Sequence, residues 1–324
     1  MPAKFIATAL LTVPKSKIYS PADIQMTSSY LFLNDLRVHY LQWTPQNMAA
    51  PIVLLHGLAS NAHIWELTAP FLVDAGFAPQ APDARGHGLT DKPDGDYGFA
   101  TISKDLLAFV EACHLERPLL VGHSWGASLA MDYAARYPIG PRAPRGLVLV
   151  DGGIFQLDEP GTSWEETRER LTPPRLAGTS LATFTTRVRD YSPLWDDERI
   201  QAIVLANFEI YEDPLSGEEL ITPRLSFDRH MQIVASMWSF KTYDVASRLR
   251  CPVLTIPARP AQTAATAEQQ YLVRKELGLA RLSEHIPELQ VHWMNDSIHD
   301  IPLQHPAELA NLIVEFARRA TGSS

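Results

Sequence analysis

Cysteine, basic charge and long apolar runs are all scarce in this chain, and each scarcity excludes something. Only two cysteines, Cys113 and Cys251, occur among 324 residues. They fit no metal-ligand spacing and imply no disulfide framework, so they read as small apolar residues. Lys and Arg number 28 against 37 Asp and Glu, for a net charge of −9. Such a balance provides no basic surface for a phosphate backbone, and nucleic acid is not an expected partner. No apolar run approaches the roughly 18 residues that a membrane span requires. Internal repeats, low-complexity tracts and charge runs are absent too.

What is present is ordinary globular composition, 46% hydrophobic and 20% charged. The length suits one large α/β domain, or a core with an insertion. Met1 to Val13 holds one lysine before the short apolar stretch Phe5 to Leu11, with no convincing cleavage site after it. That is a weak signal peptide at best. The expectation is a surface extension over residues 1–28 of a cytoplasmic protein, with secretion as the alternative.

Strands and helices then alternate. Tyr30–Leu33 and Leu36–Leu41 flank Asn34-Asp35, a hairpin pattern. Pro51–Leu55, Leu119–Val121 and Gly146–Val150 are continuous apolar runs, as expected of strands covered on both faces. Helical patterns separate them, which implies βαβ units and a mostly parallel sheet. After Asp151-Gly152-Gly153 the rhythm stops for about ninety residues, resuming at Cys251–Ile256. The simplest organisation is a core of residues 29–153 and 247–324 with a mainly helical insertion over 154–246.

The most telling stretch is Leu119-Leu120-Val121-Gly122-His123-Ser124-Trp125-Gly126. It reads as a buried strand, a G-x-S-x-G turn and a helix start. A serine hydroxyl is a weak nucleophile unless a base takes its proton. A sharp strand-to-helix turn lifts such a hydroxyl clear of its neighbours, and the new helix aims free N–H groups at the reacting centre. Three further segments follow the same logic in order: Leu54-Leu55-His56-Gly57-Leu58, Asp83-Ala84-Arg85-Gly86-His87-Gly88-Leu89-Thr90, and Ser297-Ile298-His299-Asp300.

With these motifs the chain resembles the α/β-hydrolase superfamily from about Ser29 to its last helix. The resemblance implies an α/β-hydrolase fold: a mostly parallel central sheet, helices on both faces and a helical cap over 154–246. It implies Ser124 as nucleophile, His299 as base, and an oxyanion hole from the backbone N–H groups of Leu58 and Trp125. His123, His56 and His87 read as packing or loop-shaping residues.

The acid departs from the common pattern. Most relatives carry it after the strand corresponding to Pro252–Ile256, where this chain has Ala261. Some place it one strand earlier, which here is Asp151. Asp296 and Glu268 are the alternatives, and Asp300 reads as a loop-fixing neighbour. Trp125, Trp195 and Trp238 are the candidate pocket residues. No metal and no cofactor is expected; the expected partner is a small-molecule ester or lactone. Oligomeric state is open.

The implied reaction is carboxylic ester hydrolysis through an acyl-enzyme. Lactone, amide or C–C bond hydrolysis on the same residues is the alternative, as is a ligand-binding protein on this fold. Displacement at a saturated carbon, the work of aspartate-bearing relatives, does not suit a serine: the ether it would form has no carbonyl for water to attack.

Overall fold

The computed structural model describes residues 25–44, 50–192, 194–261 and 266–321. A hairpin of β1 (Met26–Leu33) and β2 (Leu36–Trp43) leads into β3 (Ala50–Leu55), α1 (Ala69–Asp74), β4 (Phe77–Pro82) and α2 (Phe99–Ala112). Next come β5 (Leu119–His123), α3 (Trp125–Arg136) and β6 (Gly146–Val150). The hairpin turns on Asn34 and Asp35, both at positive φ, a conformation that Asn and Asp tolerate better than most residues. β1 starts at Met26, so the expected boundary at residue 28 falls inside a strand; the Met1 to Val13 segment lies outside the described residues.

The insertion carries α4 (Trp164–Leu171), β7 (Thr179–Ser180), α5 (Leu181–Tyr191), α6 (Glu198–Leu205), β8 (Phe208–Glu212), β9 (Glu219–Pro223), α7 (Phe227–Trp238) and α8 (Thr242–Ala246). Its helices are joined by a three-stranded antiparallel sheet in the order β7-β9-β8, which the helical expectation lacked. Ser163, Ser180, Asp197 and Ser226 each cap a helix here with a side-chain oxygen on a first-turn N–H. The chain returns through β10 (Val253–Ile256), β11 (Ala258–Arg259), α9 (Thr266–His285), β12 (Leu289–Val291), β13 (Met294–Asn295), α10 (Ile301–Gln304) and α11 (Pro306–Thr321).

Eight strands form the main sheet in the order β1-β2-β4-β3-β5-β6-β10-β12, parallel from β4 onward. Alternation across its strands splits the core in two. Leu120, Leu147, Leu149 and Val253 pack on one face with residues of α2 and α3. Leu119, Val121, Val148 and Leu254 pack on the other with α1 and α11. Every residue of β5, β6 and β10 is buried, and each such aliphatic side chain contributes about 1.5–3 kcal/mol. That rigid centre matters for the site: His123, Val150 and Ile256 end three adjacent strands in register.

Candidate active site

Ser124 follows directly on β5 and stands before the first residue of α3, at φ 55° and ψ −120°. A left-handed backbone at a non-glycine residue is strained. Close packing on both sides holds it: a side chain at Gly122 would collide with the Gly126 carbonyl, and one at Gly126 with the carbonyls of Leu55 and His56. The Ser124 N–H donates to Val150 O at 2.9 Å, tying the turn to β6.

The structure brings Ser124, His299 and Asp151 together. His299 Nε2 lies 2.9 Å from Ser124 Oγ, and His299 Nδ1 lies 2.7 Å from Asp151 Oδ2. Asp151 immediately follows β6, itself at φ 45°. Gly152 after it is pressed so closely on the Ser124 carbonyl that any side chain would clash. The other Asp151 oxygen, Oδ1, accepts from the Ala258 N–H at 2.8 Å and from Lys275 Nζ at 2.7 Å.

Lys275 is the residue that the sequence reading missed. It reaches from α9, is 4% exposed, and donates a second bond to Ala258 O at 2.8 Å. Its charge compensates the carboxylate within an otherwise closed environment. Burial alone would raise the Asp151 carboxyl, but the His299 hydrogen bond and the charges of His299 and Lys275 hold it below the usual carboxylate range. For His299, partial loss of hydration at the cleft pushes the ring down, while the Asp151 hydrogen bond and charge outweigh it and move the pKa above its ordinary value.

The His299 loop is fixed from several sides. Gln304 Oε1 accepts from the Ile298 N–H at 2.7 Å, and its Nε2 donates to Asp296 O at 3.2 Å. The Ser297 N–H donates to Arg259 O at 3.0 Å. His123, read from the sequence as a packing or loop-shaping residue, donates from Nε2 to His299 O at 2.9 Å, with the two rings 4.8 Å apart. Burial and then the neighbouring His299 charge push His123 down to about 4, so it is neutral at ordinary pH.

His56 donates from Nδ1 to Gly57 O at 2.8 Å and accepts from the Ala84 N–H at 3.0 Å, shaping its loop. His87 stacks on Trp125, and burial followed by His56 pushes it down to about 3. The N–H groups of Leu58 and Trp125 have no hydrogen-bond acceptor among the described residues. Gly57, just before Leu58, lies so near that a Cβ on it would sit 3.1 Å from Ser124 Cβ.

Of the alternative acids, Asp296 is exposed and makes no hydrogen bond to the His299 ring, and the Glu268 side chain lies outside the described residues. Ala261 lines the cleft beside His299 without any polar contribution.

A cavity of about 290 Å³ opens at Ser124, lined by Trp125, Ile154, Phe155, Leu171, Met237 and Phe240 among others. Two expected pocket residues are corrected. Trp195 is buried inside the insertion's own small core, edge-on to Phe184. Trp238 packs on Trp164 and does not line the cavity. Its neighbours Met237 and Phe240 do so instead. Among the described residues, no group of three His, Cys, Asp or Glu side chains could hold a metal ion, and no helix is long and apolar enough to cross a membrane.

A family model for the alpha/beta hydrolase fold matches residues 50–212. The chain belongs to the alpha/beta hydrolase family. Among curated alpha/beta hydrolase relatives, a haloalkane dehalogenase of Psychrobacter cryohalolentis is 27% identical over 187 residues, covering 55% of this chain and 61% of that protein. Bifunctional epoxide hydrolase 2 of Sus scrofa is 22% identical over 97% of this chain and 59% of its own length. The chain thus spans less than two thirds of these relatives. Among solved structures, E-2-(acetamidomethylene)succinate hydrolase superposes with a TM-score of 0.69 at 20% identity, over 91% of this chain and all of that one. The enol-lactonase from Burkholderia xenovorans gives 0.64 at 16% identity, over 90% of this chain and all of that one. These structural likenesses establish the alpha/beta hydrolase fold.

Proposed function

We infer that this hydrolase cleaves a carboxylic ester through an acyl-enzyme at Ser124. The observation that carries the reading is the continuous relay Ser124–His299–Asp151 at 2.9 and 2.7 Å, opening on a cavity. Ser124 Oγ attacks the carbonyl carbon as its proton passes to His299 Nε2. The carbonyl π pair becomes an oxyanion facing the N–H groups of Leu58 and Trp125. Losing one such donor typically costs about 3–4 kcal/mol. Collapse breaks the ester C–O bond, and His299 returns the proton to the departing alcohol. Water, deprotonated by the same imidazole, then cleaves the acyl-serine and releases the acid. Asp151 keeps the His299 Nδ1–H in place and stabilises the imidazolium; residues 154–246 act as a cap that narrows access to Ser124.

The curated relatives include a haloalkane dehalogenase and an epoxide hydrolase. Ser124 argues against their named reactions here, since displacement by a serine at a saturated carbon ends in an ether. Lactone, amide or C–C cleavage needs the same three residues, and the apolar cavity walls favour none of them over an ester.

The test is turnover of a p-nitrophenyl ester series. The full chain should release nitrophenol with a burst, and Ser124→Ala should lower turnover by about 10⁴-fold or more. A folded wild-type protein that hydrolyses none of the esters would refute this reading and favour a ligand-binding role.

A further inference from the structure

Most cations around the triad are paired. Lys275 holds Asp151 at 2.7 Å, Arg281 meets Glu159 at 3.1 Å, and Arg259 approaches Glu276 at 3.8 Å. Two are not. Arg170, on the insertion helix α4, borders both the Ser124 cavity and an adjoining cleft of about 870 Å³. Arg274, on α9, borders that cleft. Neither has a carboxylate partner among the described residues. Arg274 Nη2 is buried with no hydrogen-bond acceptor among the described residues, an arrangement that costs free energy unless something supplies one.

The two guanidinium groups address one place. Cavity and cleft share Asp151, Arg170, Tyr271, Lys275 and His299 as a common wall. The Arg274 guanidinium lies over the Phe155 ring, with Cζ 4.7 Å from its centroid, and Phe155 meets Tyr271 edge-on at 5.6 Å. Loss of hydration and the Asp151 charge push the Tyr271 hydroxyl up to about 12, and Arg170 and Arg274 pull against them. In a chain of net charge −9, Arg170 at the Ser124 cavity and Arg274 in the adjoining cleft are two guanidiniums without a carboxylate partner among the described residues, and they make that joined space attractive to anions.

The geometry points to a substrate that carries a free carboxylate, bound by Arg170 and Arg274 while its ester carbonyl lies at Ser124. This inference rests on the ester-hydrolase reading and narrows it to half-esters of dicarboxylic acids. The planar guanidinium fork matches a carboxylate. Asp296 lines the same cleft, and its carboxylate disfavours a dianionic phosphate more than a monoanionic carboxylate. Asp151 is already neutralised by Lys275, so the arginines remain the free partners.

A matched pair of ligands tests this: monoethyl glutarate, which has the carboxylate, and ethyl pentanoate, which ends in a methyl group. Titration calorimetry on full-length Ser124→Ala should show monoethyl glutarate binding at least about tenfold more tightly. Arg170→Gln and Arg274→Gln, each added to Ser124→Ala, should reduce that preference, and the pair together should erase it. Arg274→Lys should keep part of it, and added salt should narrow it. Thermal midpoints identify any variant that fails to fold, and the salt series on Ser124→Ala alone then decides. Equal binding of the two ligands, or a preference unmoved in the folded double variant, overturns the inference. Wild-type turnover separates it from the parent reading. Hydrolysis of ethyl pentanoate without preference for the half-ester sinks only the carboxylate site. Selective binding of monoethyl glutarate with no hydrolysis of either ester leaves the anion site standing and sinks the hydrolase reading.

Discussion

This molecule contains two Ser–His–Asp relays with nearly the same spacing. Ser28 Oγ lies 2.8 Å from His39 Nε2, and His39 Nδ1 lies 2.7 Å from Asp83 Oδ2. At the second relay, Ser124, His299 and Asp151 stand at 2.9 and 2.7 Å. Everything around them differs. Ser28 is an exposed residue within the regular strand β1, paired in register with Leu41. No helix begins beside it, and its histidine is wholly buried. Asp83 is locked by main-chain donors, accepting from Ala62 at 2.7 Å and Leu89 at 2.8 Å. Ser124 occupies a strained elbow at a helix start, faces a cavity, and has a histidine whose side chain is 49% exposed. Hydrogen-bond spacing alone therefore does not distinguish a reactive serine. Free donors for an oxyanion and room for a carbonyl do.

The sharpest way to break the comparison is to remove each acid. Asp151→Asn should lower ester turnover by about 10⁴-fold, the loss expected when a triad carboxylate is neutralised. It should also destabilise the fold, because it strands the buried Lys275 cation; Lys275→Met in the same protein should recover stability without recovering turnover. Asp83→Ala should do the reverse, costing about 3–5 kcal/mol of stability with the chemistry at Ser124 largely retained in whatever protein stays folded. Steady-state kinetics beside urea unfolding of the four proteins gives the answer. Equal kinetic damage from both acid substitutions would erase the distinction between the relays.

A smaller effect concerns pH. His299 must be neutral to accept a proton, and Asp151 raises its pKa, so activity should fall as pH drops through a value above the ordinary 6.5. Lys275 lowers that pKa. Its removal in Lys275→Met should shift the acidic limb to higher pH and reduce turnover by about tenfold. Residual activity of Asp151→Asn should show the limb displaced the opposite way. A profile that stays put in Lys275→Met would mean that the lysine only fills space.

The smallest effect is on stability in acid. Burial works against ionisation of Asp83, but the hydrogen bond from His39, the charges of His56 and His39, and the Ala62 N–H hold its carboxyl at about 2, below the ordinary 3.8. Its contribution is thus present above about pH 4 and lost as pH falls through about 2. Acid unfolding curves should lose that component in Asp83→Asn.

Much of the site was legible because local sequence dictates it. Gly122, Ser124 and Gly126 announce a turn in which only glycine lets the backbones approach, and Asp151 follows directly on the apolar run that forms β6. Lys275 was not legible. It sits on an ordinary charged stretch of α9, and only the packing of that helix beside β11 aims it at Asp151. The Ser28–His39–Asp83 relay was equally invisible, since β1, β2 and the loop after β4 each supply one member. Trp195 and Trp238 misled because aromatic content marks burial as readily as a pocket, and both pack within the insertion. The strands Phe208–Glu212 and Glu219–Pro223 escaped notice because they are short and carry Glu209, Glu212 and Glu219, and the first is largely exposed.

The contrast between the two serines is measured most directly by an organophosphonate probe followed by peptide mapping of the native full chain. Both hydroxyls are bonded to a histidine, yet only Ser124 has an elbow, free N–H donors and a cavity. The account predicts one adduct per chain, on Ser124, and an unlabelled protein after Ser124→Ala. An adduct on Ser28, or folded wild-type protein that takes up no label, would contradict it.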